Sequence, residues 1–287
     1  MKGIILAGGW GTRCYPMTKA VSKHLLPVYD KPMIYYPLCT LMEAGISDIL
    51  VITSPEFLAP YRNLLGDGSQ WGIRLTYLEQ KAPQGVAQAF VIGENFIGND
   101  NVCLILGDNL FYGASFAEKL KNAVKNHQNA SVFAYSVPNP ADFGVLTLDM
   151  HGNVTAITEK PDIPASAYAV AGIYLYDASV CEIAKNLCPS ARGELEITDI
   201  NRHYLQNQKL TVYFEDSVWM DMGTPENLFE AASFIFRLQK EKMQTVFCPE
   251  KIAFQNGWIT KNQLFALGKA MQSTAYGQNI LYLGESL

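Results

Sequence analysis

The feature that most restricts the fold is a set of short, unbroken apolar runs separated by helix-length segments. Gly3-Ile4-Ile5-Leu6-Ala7 is closed by Gly8-Gly9, and Ile49-Leu50-Val51-Ile52-Thr53 and Val102-Cys103-Leu104-Ile105-Leu106 have the same texture. A run of about five residues without polar alternation reads as a strand covered on both faces, as in a parallel sheet. Helical patterns lie between them, at Met33–Glu43 before a candidate C′ glycine (Gly45), at Ala87–Phe96 and at Phe116–Val124. Strand and helix in alternation imply βαβ units, and so a parallel sheet.

After about residue 131 the texture changes. Ser131–Ser136, Val145–Asp149, Val154–Glu159 and Tyr168–Tyr176 read as strands with short links, and His151-Gly152-Asn153 as a hairpin turn. Helices are expected at Ala178–Leu187, Leu195–Leu205 and Pro225–Lys240, the last with Thr224 as N-cap and Pro225 at N1. From Thr260 the tail is helical in pattern. The expectation is an α/β domain over residues 1–240 with a helical extension, 241–287, packed on it.

Length and charge limit the function. With 287 residues, 49% apolar and 17% charged, the chain can bury a sizeable core and is not disordered. Its net charge of −5 argues against a general nucleic-acid binder. Six cysteines without a C-x-x-C pair read as reduced core thiols, and four histidines show no metal-ligand spacing. No apolar stretch approaches the roughly 18 residues of a membrane span, and the opening run is too short for a signal peptide. A soluble, cytoplasmic protein is expected.

Gly8-Gly9-Trp10-Gly11-Thr12-Arg13 follows the first strand directly. Glycines there permit close backbone approach, and exposed N–H groups at a strand's carboxyl end suit phosphate oxygens. The P-loop pattern is absent, and the dinucleotide fingerprint fails because Cys14 stands where its last glycine belongs. That failure counts against a nicotinamide-dependent oxidoreductase. Lys2, Arg13, Lys19 and Lys23 lie in an opening with no acid before Asp30, a local positive field suited to a polyphosphate. Asp108 and Asp221 each follow a strand-like run. Two aspartates meeting on a polyphosphate would hold Mg²⁺, but spacing alone does not pair residues so far apart.

Together these segments resemble the sugar-1-phosphate nucleotidylyltransferases. The G-G-x-G-T-R loop and Ser22-Lys23-His24-Leu25-Leu26-Pro27 match the family signature. Its glucose-1-phosphate thymidylyltransferase branch is matched by Asp30–Pro37, Leu65–Ser69, Leu106-Gly107-Asp108-Asn109, Thr158-Glu159-Lys160-Pro161, Gly193–Asp199, Asn256-Gly257-Trp258-Ile259 and Tyr276-Gly277. The resemblance spans nearly the whole chain. It implies a Rossmann-like, mixed, mostly parallel sheet flanked by helices. It also implies the Mg²⁺-dependent reaction of dTTP with glucose 1-phosphate to give dTDP-glucose and pyrophosphate, in a homo-oligomer (tetramer or dimer).

Roles follow residue by residue from the resemblance. Gly8, Gly9, Gly11, Thr12 and Arg13 form the nucleotide loop, with Arg13 on the leaving pyrophosphate. Lys23 matches a phosphate-binding lysine near the α-phosphate, and Lys160 the lysine that grips the sugar phosphate. Gln80 and Gly85 match the base-reading positions, while Gly144, Glu159 and Val170 match the sugar wall, with Trp219 beside them. Asp108, which also contacts nucleotide, and Asp221 match the metal ligands. Trp10, Cys14 and His24 stand where serine, leucine and glutamine are usual, and Gln255 stands where an arginine is common. The same chemistry with UTP or another sugar phosphate, and a non-catalytic sugar-nucleotide sensor, are the competing readings.

Overall fold

The apolar runs become the middle of a nine-stranded sheet. In the computed structural model, which describes residues 1–286, the strands are β1 (Lys2–Ala7), β2 (Pro27–Val28), β3 (Lys31–Pro32), β4 (Asp48–Thr53), β5 (Arg74–Glu79), β6 (Val102–Leu106), β7 (Asn109–Tyr112), β8 (Ala130–Ser136), β9 (Gly144–Leu148), β10 (Val154–Glu159), β11 (Tyr168–Tyr176), β12 (Leu210–Glu215) and β13 (Val218–Asp221). The helices are α1 (Tyr35–Glu43), α2 (Leu58–Leu65), α3 (Gln88–Ile92), α4 (Glu94–Ile97), α5 (Ala114–Lys125), α6 (Val180–Lys185), α7 (Ile197–Gln206), α8 (Pro225–Lys242), α9 (Pro249–Gln255), α10 (Lys261–Ala270) and α11 (Ala275–Ser286). Leu287, the end of the expected extension, lies outside the described residues.

The main path runs β10-β9-β11-β6-β1-β4-β5, with β8 added on β11 and β12 on β8. β5, β4, β1 and β6 are parallel, and β11 turns the sheet antiparallel at β6. Burial explains the lack of polar alternation in the inner strands. Ile5, Val51, Cys103 and Ile105 feed the core on one face, while Ile4, Leu50, Ile52, Val102 and Leu104 feed the other. Central β1 has β4 on one side and β6 on the other, with crossovers leaving in opposite directions. This is the position at which open α/β sheets form a crevice.

Several elements depart from expectation for local reasons. The helix expected over Ala87–Phe96 breaks at Gly93 into α3 and α4. A Cβ at Gly93 would stand 2.9 Å from the Ala89 carbonyl oxygen and 3.1 Å from Leu50, so this turn lies directly on the sheet. α7 begins at Ile197 rather than Leu195, because the Leu195 N–H donates to the Gln84 carbonyl at 2.7 Å and holds that segment extended. Thr224 does cap α8, accepting from the Asn227 N–H at 3.2 Å. All six cysteines are free thiols, but Cys188 is exposed rather than part of the core. The strand-like run before Asp221 becomes β13, but its partner β7, which sets Asp221 opposite Asn109, has no counterpart in the expected elements. No helix among the described residues is long and apolar enough to cross a membrane.

The tail docks through a buried carboxylate. Glu250 on α9 is 3% exposed, accepting from Trp71 Nε1 at 3.1 Å and from the Tyr276 hydroxyl at 2.7 Å. This fastens α9 and α11 to the segment before β5. Trp71→Phe removes the indole donor and leaves a buried carboxylate oxygen short of a partner, at a cost of about 1–3 kcal/mol. Urea denaturation should show this loss, and an unchanged midpoint would show that apolar packing alone holds the tail.

Candidate functional site

The loop after β1 rises into the crevice with Gly11 in the left-handed region, at φ +59°. A side chain there would also be crowded, since a Cβ would stand 3.2 Å from both Lys23 Cβ and Thr18 Cγ2. Trp10, at 50% exposure, points away from this crowding, and Cys14 turns inward to full burial. Gly8 faces Gln80, whose Oε1 lies 2.1 Å from where a Gly8 Cβ would be. Gly85, at φ +102°, is pressed against Leu195, with the Leu195 carbonyl oxygen 2.4 Å from its would-be Cβ. The glycine loop and the expected base-reading residues therefore sit next to each other, with backbone exposed where only glycine fits.

The charged centre lies beside them. The Lys23 ammonium is hydrogen-bonded and ion-paired to the Asp108 carboxylate. Burial, the largest influence, pulls the Lys23 pKa down, but the charge and hydrogen bond of Asp108 together with the Asp221 charge outweigh it, leaving the lysine raised. For Asp108 burial is the largest influence and pushes upward, but the neighbouring positive charge, Lys23 first, and the hydrogen bonds from Lys23 and Asn109 together outweigh it, holding the carboxyl well below the usual range. β13 carries Asp221 alongside through its pairing with β7, and the Met222 N–H donates to the Asp108 carbonyl at 2.9 Å. Burial, and then the Asp108 charge, push Asp221 up to about 7. No donor among the described residues bonds the Asp221 carboxylate. Arg13 reaches the same corner: a Cβ at Gly223 would lie 2.8 Å from Arg13 Nη2 and 3.0 Å from Asp221 Oδ1.

From this centre a cavity of about 460 Å³ extends toward β9, β10 and β11. Arg13, Asp108, Gly144, Glu159, Lys160, Val170, Trp219 and Asp221 all line it. Glu159 pairs with Gly144 across the β9–β10 ladder, and a Gly144 Cβ would stand 2.9 Å from Thr198 Oγ1. Lys160 adopts φ +41° as the chain leaves β10. Gly8, Gly9, Gly11, Thr12, Lys23, Gln80 and Gly85 do not line this cavity and form the adjoining end of the crevice.

Four residues escaped the sequence reading. Asn109, 2% exposed, donates to Asp108 Oδ1 at 3.0 Å and accepts from Trp219 Nε1 at 2.7 Å and the Gly172 N–H at 3.2 Å. It clips the carboxylate to the aromatic wall where the β11–β8 register shifts. Thr198 donates to Glu159, and Arg192 reaches Glu159 at 3.3 Å and Glu196 at 2.9 Å. Thr198 and Glu196 lie within the Gly193–Asp199 motif, which carried the signal without assigned roles. Separately, Gln255 is exposed and lines a second cavity of about 310 Å³ between α9 and β7.

His24 is 3% exposed behind the charged centre, its Nδ1 3.4 Å from Ser22 Oγ. Burial, and then the Lys23 charge, pull it from 6.5 down to about 3. The unfolded chain takes up this proton below 6.5 and the folded protein does not. The stability from this group is therefore complete above 6.5 and is lost as pH falls toward 3, at about 1.4 kcal/mol per pH unit. His24→Gln should flatten the dependence of unfolding free energy on pH between 6.5 and 4.5 by that slope. Parallel wild-type and variant curves would show that the native imidazole does take up the proton.

Comparison with known proteins gives the same direction. The family model described as "Nucleotidyl transferase" matches residues 2–237. Glucose-1-phosphate thymidylyltransferase from Neisseria gonorrhoeae is 56% identical over 285 residues, covering 99% of each chain, and that from Mycobacterium tuberculosis is 47% identical over 287 residues, also covering 99% of each. Among solved structures, a candidate glucose-1-phosphate thymidylyltransferase from Bacillus anthracis, crystallised with sucrose, superposes with a TM-score of 0.76 at 44% identity, covering 82% of this chain and 94% of that one. A UDP-glucose pyrophosphorylase complexed with UDP-glucose gives 0.72 at 26% identity, covering 83% and 98%. The mixed sheet, the site at its central crevice and these matches together show that the chain belongs to the nucleotidyl transferase family, in its glucose-1-phosphate thymidylyltransferase branch.

Proposed function

We propose that this chain transfers the thymidylyl group of dTTP to glucose 1-phosphate, releasing pyrophosphate, in a single in-line displacement that depends on Mg²⁺. The observation that carries this reading is the cluster of Arg13, Asp108 and Asp221 at one end of a cavity whose other end holds Glu159 and Lys160, with Lys23 paired to Asp108 just outside it. A sugar phosphate is already an anion and needs no base to activate it. The difficulty is bringing two anions together, so catalysis rests on positioning and charge neutralisation.

In this reading Lys23 moves from Asp108 to the α-phosphate region, Arg13 holds the departing pyrophosphate, and Lys160 grips the sugar phosphate. Glu159 accepts from sugar hydroxyls, with Gly144, Val170 and Trp219 closing the wall. Gln80 and Gly85 read the base, and Gly8, Gly9, Gly11 and Thr12 offer backbone to the phosphates. The donor set fits a small hard cation: Asp221 is half-buried beside Asp108 with no donor of its own among the described residues. Those residues also hold no cluster of three or more metal-ligating side chains. Two carboxylates completed by water and phosphate oxygens suit Mg²⁺. Asp108 and Asp221 would hold the ion, which when bound supplies charge neutralisation to the triphosphate. The catalytic domain then spans 1–240, with 241–287 as the extension, in a cytoplasmic enzyme.

Pyrophosphate release with Mg²⁺, each nucleoside triphosphate and several sugar 1-phosphates tests the reading. The highest kcat/KM is expected with dTTP and glucose 1-phosphate. No pyrophosphate from any pair would remove the catalytic claim, and preference for UTP would remove the thymidylyl claim alone. Asp108→Asn should lower turnover on the order of 10²–10³ while the protein stays folded by circular dichroism.

A further inference from the structure

Gln80, 4% exposed, is held by a second amide that the family resemblance does not mention. Gln80 Nε2 and Gln88 Oε1 are 2.7 Å apart. Which end of each amide faces the other is settled by a group whose polarity is certain. The Gln84 backbone N–H donates to the same Gln88 oxygen at 3.3 Å, so that atom is an acceptor, and the opposite end of Gln88 donates to Gln84 Oε1 at 2.8 Å. Gln80 must therefore present its NH₂ group to Gln88. Its Oε1 is turned toward Gly8 and bonds no donor among the described residues. Gln84 is itself fixed by Leu195, whose N–H donates to the Gln84 carbonyl at 2.7 Å.

We propose that Gln88 is a specificity-determining positioning residue, which locks the Gln80 amide in the orientation that accepts thymine and rejects cytosine. Locked this way, Gln80 offers a free acceptor and one remaining N–H. The N3–H of thymine or uracil, flanked by a carbonyl, complements that pair. Cytosine presents an acceptor at N3 and a donor amino group beside it, and would need the amide reversed. Reversal would set the Gln80 carbonyl against Gln88 Oε1, two acceptors face to face. This inference rests on Gln80 being the base-reading residue.

The test compares kcat/KM for dTTP and dCTP, each with glucose 1-phosphate. Gln88→Leu frees the Gln80 amide to turn and should lower the dTTP/dCTP ratio about tenfold, the size expected for one hydrogen bond of orientation. Gln88→Glu keeps an acceptor in place and should hold the ratio within about twofold of wild type. If Gln88→Leu lowers kcat/KM equally for both nucleotides, Gln88 is merely structural and the proposal is overturned. Gln80→Leu separates the two readings. If it leaves the ratio unchanged, base reading by Gln80 itself fails. If it collapses the ratio while Gln88→Leu does not, only the role of Gln88 fails.

Discussion

The ion pair between Lys23 and Asp108, with Asp221 half-buried alongside, is the constraint around which the rest of the structure is arranged. Two carboxylates in one poorly solvated corner repel, and a single lysine satisfies only one of them. Burial and the Asp108 charge therefore drive Asp221 up to about 7. Such a corner is unfavourable for an isolated protein and favourable for one that receives a cation together with an anionic ligand. The fold bears this strain with a dense scaffold: Ile4, Ile5, Ile105 and Leu104 behind the site are fully buried.

The scaffold also accounts for the placement of each charge. Central β1 delivers the glycine loop, its neighbour β6 delivers Asp108, and β13 is pulled to the same level by the ladder with β7. Asn109 then joins three elements through one amide, binding Asp108, Trp219 and the Gly172 backbone. The carboxylate corner and the aromatic wall of the cavity thus share a single fixed point. On the opposite side Leu195 fastens the Gln84–Gly85 segment, and Arg192 and Thr198 of the same stretch of chain hold Glu159. The segment after residue 190 therefore touches both ends of the crevice, at Gln84–Gly85 and at Glu159.

The parts of this arrangement legible in the sequence were those with a local signature. The inner strands show as unbroken apolar runs because both faces are buried, and Thr224-Pro225 marks a helix start because a side-chain oxygen caps it. The glycine loop showed through its composition and its acid-free surroundings. The pairing of Asp108 with Asp221 was not legible, because it depends on a four-residue ladder formed between β7 and β13. Asn109 stands out in the sequence only as part of a motif, since nothing local tells an amide clip from a turn residue. Leu195 reads as helical because its apolar spacing fits a helix, whereas the Gln84 carbonyl competes for its N–H and wins.

In the proposed reaction two anions react directly, brought together by fixed charges, without a covalent enzyme intermediate. The side chains nearest the centre agree with this: Cys14 is fully buried with its thiol pushed up by burial, and His24 is buried and neutral. The stereochemical course at the α-phosphorus tests the claim most directly, using dTTP made chiral by sulfur at that position and glucose 1-phosphate. One in-line displacement requires inversion in the thiophosphate product. Retention would mean two displacements through an enzyme-bound nucleotidyl group, and would contradict it.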